Sequence, residues 1–510
     1  MTIKFNVALN GNRQTATIAD KSIYYSNPPY LQYQYSVSIP QYYLIYVTDN
    51  KIVKSVGKTS IKSRVTEEFK LDNAIEFYDT FAPFFKNIDI LLIPKKAKRH
   101  LERNVPKSLL RKIHKDINTA IELCLIILSN LSWTVFAESE WKNLSSTIMD
   151  EQTRKGNDNT RIYSRVLDVL KYSTNTTQGI IQVKTNDSGG EPYQQGVACK
   201  SYRLTNSYLE SGLTQYVIKN KELVTRRKEF CKKLLTKAHE NAIANNLLCL
   251  YSRIQLPSHD ELKEEARKLI KRNYITKKGK KLIFQNKHPK LKNNENLSYV
   301  EDHIKLFDYL TQLGLMIPII GDDKSGGRVV DSFALMPSWI RQLVKIDGES
   351  IVEVDFKALH PNIAISIYGG SKKYITHQQI AQEINLDVRE VKMHHLSYFN
   401  KEVRDMKRSP LYEYYNSTEP LMNQGIIEEK QTSLKRHKIT SMRMFEKEVE
   451  IMTECIKRLN LKGIYVGYVY DALFCKQSDM EEVKNIMDKV ILEFDVYTIS
   501  SINFNKKDNE

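Results

Sequence analysis

Two periods of apolar residues run along this chain, and the places where one gives way to the other divide it. From Tyr30 to about Thr59, tyrosine, isoleucine, valine and serine recur with partial alternation, as in YLIYVTDNKIVKSVGKT. That pattern predicts short strands, with a hairpin turn at Asp49 and Asn50. From Pro106 the period lengthens, and Leu109, Ile113, Ile117, Ile121 and Leu125 predict one buried helix. The polar, glycine-rich stretch NTTQGIIQVKTNDSGGEPYQQG, between Asn175 and Gly196, predicts loops around a short strand. Charged helices follow from Ser207 to Asn273, and then the lysine-rich run KKGKKLIFQNKHPKLKNNEN. Further on, an apolar strand, Ile351 to Val354, ends on Asp355 and leads into LHPNIAISIYG. A second strand, Ile464 to Tyr470, is followed by Asp471, another short apolar run, and a helix starting after Ser478 and Asp479. Asp471 is thereby expected near the tip of a hairpin.

Length and charge narrow the class. A chain of 510 residues with 41% hydrophobic content is expected to form two or three domains. The net charge of +17 exceeds what solubility needs and points to a polyanionic partner, nucleic acid before a membrane surface. The lysine-rich run reads as a solvated loop, and its position before the Asp355 and Asp471 segments also suits a grip on duplex backbone. The amino terminus lacks the unbroken apolar stretch of a secretory signal, and no run reaches the roughly 20 residues of a membrane helix. An intracellular, cytoplasmic protein with no membrane span is expected. The six cysteines are scattered without CxxC pairs, which argues against a zinc knuckle or disulfide framework and for buried free thiols. His394 and His395 point in different directions on a helix and make poor joint metal ligands, so a solvated or phosphate-facing surface is expected there.

The chemistry lies in the two strand-end aspartates. Phosphoryl transfer to a growing 3′ end uses two divalent ions roughly 3.5–4 Å apart, one activating the hydroxyl and one holding the triphosphate. Magnesium takes a few carboxylates, waters and substrate phosphates, so two aspartates on neighbouring strands suffice. One such aspartate alone is weak evidence, since most only cap a helix or turn.

At these residues the chain resembles the family-A polymerases, the group of bacterial DNA polymerase I and the single-subunit phage-type RNA polymerases. Gly327 and Arg328 look like the Gly-Arg pair before motif A, and Arg341 resembles the family's second arginine. VEVDFKALHPNIAI is similar to motif A, with Asp355 at the metal position. YVYDALF is similar to motif C, with Asp471 as second catalytic aspartate and Tyr470 where many relatives have histidine. DVREVKMHHLSYFNKEVRD looks like the fingers helix, motif B. Arg389 and Lys392 would then receive the triphosphate and Tyr398 would cover the base. The Arg–Lys spacing is one residue short, and the family's aromatic positions fall on Leu396 and Asn400.

The resemblance covers about Lys324 to Phe504. It implies an α+β right-hand polymerase with a palm sheet, reduced helical fingers and a helical thumb, beside a separate amino-terminal α+β region. The implied division is 1–105 amino-terminal, 106–255 helical accessory, 256–323 thumb, and 324–510 palm with fingers inserted at about 375–445. Two Mg²⁺ ions, with Mn²⁺ as substitute, would sit on Asp355 and Asp471. Arg328, Arg341 and Tyr470 would contact nucleic acid or brace the site. DNA primer-template and dNTPs are the implied partners of a monomer that works with other replication proteins, of the compact kind found on plasmids, phages and other mobile elements, without proofreading. The family's sugar-selecting residue lies five past the motif A aspartate; here it is His360, whose bulk before Pro361 favours dNTPs. An RNA polymerase or primase, and a catalytically decayed DNA-binding replication factor, stay open as alternatives. A second likeness is to GIY-YIG nucleases, carried by Leu44-Ile45-Tyr46, Ser55-Val56-Gly57 and Arg64; a plain hairpin and helix explain the same letters.

Overall fold

The computed structural model describes residues 88–503 apart from 138, 155–160, 187, 193–198, 277–278, 286–295 and 313–316, together with the backbone of six short strands between Ile3 and Val53. The strands flanking Asp49 and Asn50, Tyr46–Thr48 and Lys51–Val53, pair antiparallel. Leu44, Ile45, Ser55, Val56, Gly57 and Arg64 lie outside the described residues, as does much of the lysine-rich run. The chain is α+β: helices dominate, and the strands form several small sheets. Among the described residues no helix is long and apolar enough to cross a membrane. Of the six cysteines, Cys124, Cys231, Cys249, Cys455 and Cys475 are buried thiols, while Cys199 is exposed, against expectation.

Contacts divide the chain into two units, Met1–Pro83 with Lys237–Pro257 and Ile317–Glu510, and Phe84–Thr236 with Ser258–Met316. In the second, strand Ile90–Pro94 pairs antiparallel with Leu213–Val217 beside a helical apolar core. The single helix expected over Leu109 to Leu125 is two, Lys107–Ile113 and Ile117–Ser129. His114 is extended, and the Asp116 carboxylate accepts from Thr119 N at 2.8 Å and its hydroxyl at 2.7 Å, starting a new helix. Apolar spacing continued across this break and hid it. The buried Glu122 accepts from the Tyr216 hydroxyl (2.8 Å), Lys219 N (2.8 Å) and Asn220 N (3.0 Å), a fully bonded structural anchor.

The first unit is built on a six-stranded antiparallel sheet: β1 (Ile254–Gln255), β2 (Lys345–Ile346), β3 (Glu349–Phe356), β4 (Gly467–Val469), β5 (Ala472–Lys476) and β6 (Ser500–Asn503). The order is β1-β2-β3-β5-β4, and β6 pairs with the far end of β3. The strand expected over Ile464 to Tyr470 is shorter, because Val466 is bonded otherwise. Its N–H and C=O pair with the buried side-chain amide of Asn246, at 3.1 and 2.6 Å, which stands in for a neighbouring strand. Asn246 lies on α1 (Ala242–Tyr251).

After β3, Ala358 takes a left-handed conformation (φ 46°) and starts α2 (Leu359–Tyr368). Four longer helices follow, α3 (His377–Glu383), α4 (Val388–Tyr398), α5 (Pro410–Thr418) and α6 (Pro420–Thr432), with one short helical turn, Val403–Met406, between α4 and α5. The segment leading into α3 is tied to α2 by buried Asn362, which donates to Ala358 O and Ile375 O and accepts from Ile375 N at 2.8–3.0 Å. The long α7 (Ile439–Leu461) returns the chain to the sheet, burying Met444, Ile451, Met452, Cys455, Ile456 and Leu459. α8 (Met480–Glu493), starting where expected, packs on β3, β5 and β6.

The inner side of the four-helix group holds a histidine pair. His395, with its Nε2 2.6 Å from the Tyr415 hydroxyl, meets the His377 ring edge-on at 5.0 Å. The expectation of a solvated His394–His395 pair fails for His395, which is buried by Phe399 and Tyr415. Burial, and then the neighbouring cations, push His377 down to about 4 and His395 to about 3. In the unfolded chain both take protons near pH 6.5. Their contribution to stability is therefore complete above pH 6.5 and is lost as pH falls toward 4, at up to about 1.4 kcal/mol per pH unit for each histidine. Denaturant titrations of His395→Gln across pH 7 to 4 are expected to show a shallower loss than the wild type; parallel curves would contradict this.

Candidate active site

Asp355 lies near the end of β3, opposite Ala472 in the register with β5. Asp471 occupies the two-residue turn between β4 and β5, and its carbonyl accepts from Phe356 N at 3.5 Å. Asp355 on its strand and Asp471 in the neighbouring turn are thus one register step apart along the backbone, each partly open to solvent. Tyr470, the other turn residue, is left-handed (φ 59°), a strain concentrated beside the acid. Burial first, and the Glu448 carboxylate second, push the Asp471 carboxyl up to about 6, with His360 and Arg328 opposing. A cation would relieve that pocket. Among the described residues no three His, Cys, Asp or Glu side chains converge as a metal cluster.

Around them is a buried polar cluster. Glu448 on α7 is 0% exposed; its carboxylate accepts from Arg328 Nε at 2.7 Å and Nη2 at 2.6 Å, a bidentate pair. His360 Nε2 lies 2.8 Å from the same carboxylate and 3.2 Å from Arg328 Nη2. Burial alone would raise the Glu448 carboxyl, but the hydrogen bonds from His360 and Arg328 and their charge hold it below the usual range. The Arg328 guanidinium lies over the rings of Phe445, at 3.7 Å, and Tyr470, at 4.8 Å. Arg328 thereby connects α7 to the turn carrying Asp471.

Gly326 makes this approach possible. Its φ is 63°, and a Cβ there would sit 2.4 Å from Glu446 N and 2.5 Å from Phe445 C. Both are backbone atoms that cannot step aside. Gly326→Ala is expected to cost about 1–3 kcal/mol in urea unfolding, and an unchanged midpoint would contradict it.

Arg341, expected to touch nucleic acid or brace the site, is buried. Its Nε donates to Phe333 O, and its Nη2 to Ala334 O and Met336 O, all at 2.9 Å. Those bonds set it bracing backbone beside the Phe333 and Phe474 rings. On α4, Arg389 and Lys392 are exposed and share one helix face with the exposed Met393 and Leu396. Tyr398 does not join them. It is 0% exposed, donates to Asn423 Oδ1 at 2.6 Å and packs against Phe399 and Tyr415, so it has no surface to offer a base. The outward position is taken by Leu396. His360 adds to the charge felt by His395 on the inner side of α4.

Sequence reasoning missed Glu448 and Phe445. The available signal for Glu448 was an acid inside the apolar stripe of an amphipathic helix, where a charge is expected to have a partner.

No family model matches the sequence, and no curated protein matches it. Among solved structures, the chain is similar to the POL domain of Pol1 from M. smegmatis, in complex with DNA primer-template and dNTP. The identity is 9% and the TM-score 0.34, over 56% of this chain and 73% of that one.

Proposed function

We propose that this chain is a template-directed nucleotidyltransferase that extends a DNA 3′-hydroxyl with dNTPs, with Asp355 and Asp471 as its metal-holding pair. The observation that carries this is that Asp355, near the end of β3, lies opposite Ala472, the residue after Asp471 in the β4–β5 turn, and that burial and the Glu448 carboxylate raise the proton affinity of Asp471. Bound there, Mg²⁺ would lower the barrier to attack by the 3′-hydroxyl and neutralise the leaving pyrophosphate. Asp355 and Asp471 supply rigid oxygens; the strand pairing holds them before substrate arrives, so little reorganisation is needed. Arg328 keeps the Asp471 turn in place through Tyr470. Arg389 and Lys392, free of the core on the outer face of α4, meet the triphosphate as paired cations, and Leu396 lies against the base. In this reading residues 324–510 are a palm with fingers at about 375–445, preceded by a thumb at 256–323, an accessory region at 106–255 and an amino-terminal domain at 1–105, corrected in that α1 and β1, from the end of the accessory range, belong to the palm. The imidazole at position 360 favours deoxyribose over ribose.

Purified protein with a primed DNA template, Mg²⁺ and labelled dNTPs tests this. Addition of only the template-complementary nucleotide is expected; no incorporation with any nucleotide, primer or divalent metal would overturn it. Replacing both Arg389 and Lys392 by alanine is expected to raise KM for dNTP by about tenfold or more, since each cation–phosphate bond contributes roughly 1.5–3 kcal/mol when desolvated. Steady-state titration of dNTP reads the change, and an unaltered KM would remove α4 from the nucleotide site.

A further inference from the structure

Resting on the polymerase reading, we infer that Glu448 is a positioning residue for sugar selection, holding the His360 ring as a fixed wall against a ribose 2′-hydroxyl. His360 is the second residue of α2, five past Asp355, with Pro361 stiffening the backbone after it. Its side chain is 28% exposed, and the ring is near enough to Asp471 for its charge to act on that carboxyl. Nε2 meets Glu448 Oε2 at 2.8 Å, and the ring tilts against Phe445 at 5.6 Å between centroids. An ionised carboxylate only accepts hydrogen bonds, so Nε2 carries the proton and donates it to Glu448. Glu448 cannot move to release the ring, because the same carboxylate is clamped through both oxygens by Arg328. Arg328 in turn is covered on its faces by Phe445 and Tyr470.

The energetic consequence is discrimination. An imidazole on one bond to Cβ can rotate away from a 2′-hydroxyl unless something fixes it, and a ring that yields rejects nothing. A charge-assisted hydrogen bond to a buried, immobile carboxylate fixes it. Glu448 touches neither substrate nor metal in this scheme; its charge also acts on Asp471, which affects both nucleotides alike, and on sugar choice it acts only through His360.

The test is the ratio of kcat/KM for dNTP to that for the matching NTP, measured on a primed template. Glu448→Gln, which keeps size but weakens the bond, is expected to lower that ratio about tenfold, the loss expected when a charge-assisted bond becomes a neutral one. Glu448→Asp, which withdraws the acceptor but keeps the charge paired with Arg328, is expected to do the same and serves if the first variant does not fold. In a His360→Gly background neither change is expected to lower the ratio further, since there is no ring left to hold. Equal slowing with dNTP and NTP in both variants, or an undiminished effect in the His360→Gly background, would overturn the inference and leave the polymerase reading standing. A wild type that uses both sugars alike would also overturn it. A wild type that incorporates neither nucleotide would remove the polymerase reading, and this inference with it.

Discussion

Asp355→Ala is expected to slow nucleotide addition by a factor on the order of 10³ or more in single-turnover primer extension at saturating Mg²⁺ and dNTP, with the fold intact. The reason is local. Asp355 is partly exposed near the end of a strand whose neighbours, Val354 and Phe356, carry the packing, so the substitution leaves that packing in place and, in the proposed reading, removes metal-binding oxygens. Asp471→Asn should match it in rate and differ in stability. The folded-state carboxyl of Asp471 is raised to about 6, above its unfolded value near 3.8. Its contribution to stability is therefore present below pH 3.8 and lost as pH rises through 6. In the absence of divalent metal, Asp471→Asn should melt above the wild type at pH 8 and converge with it toward pH 4, while Mg²⁺ stabilises only the wild type. Melting curves at the two pH values check this. A variant less stable than the wild type at pH 8 would mean that the carboxylate is held by partners rather than poised for a cation.

Arg328→Met carries the largest expected stability change, about 3–5 kcal/mol, because it leaves the Glu448 carboxylate buried with its bidentate partner gone. Urea unfolding reads it directly. The double variant Arg328→Met, Glu448→Leu should recover much of the loss, since no uncompensated charge stays in the core, yet regain no activity, since Arg328 then no longer holds the Tyr470 turn beside Asp471. Equal destabilisation of the single and double variants would show that packing on Phe445 and Tyr470, and not charge pairing, is what Arg328 contributes. That outcome would move the brace from electrostatics to contact.

What could be read ahead of the structure follows the range of the forces involved. β3, the turn at Asp471 and the helix after Asp479 were legible because apolar runs and turn residues next to one another in sequence decide them. The paired placement of Asp355 and Asp471 rested on resemblance to a family; strand pairing sets Asp355 opposite Ala472, the residue after Asp471. The break at Asp116 was a local capping choice that apolar spacing concealed. Tyr398 was misread because its inward rotation is set by Asn423, 25 positions on, and by Tyr415. Glu448 could not be paired in advance: its partners, His360 and Arg328, lie 88 and 120 positions away. No local pattern reports such a meeting, although an acid in the apolar stripe of α7 marks where to look.

Counting bound Mn²⁺ by electron paramagnetic resonance, with dNTP and a primer that lacks its 3′-hydroxyl, addresses the two aspartates most directly. Two ions per chain are expected for the wild type, with occupancy lost in both Asp355→Ala and Asp471→Asn. Full occupancy in either variant, or none in the wild type, would mean that these two carboxylates do not share a metal site.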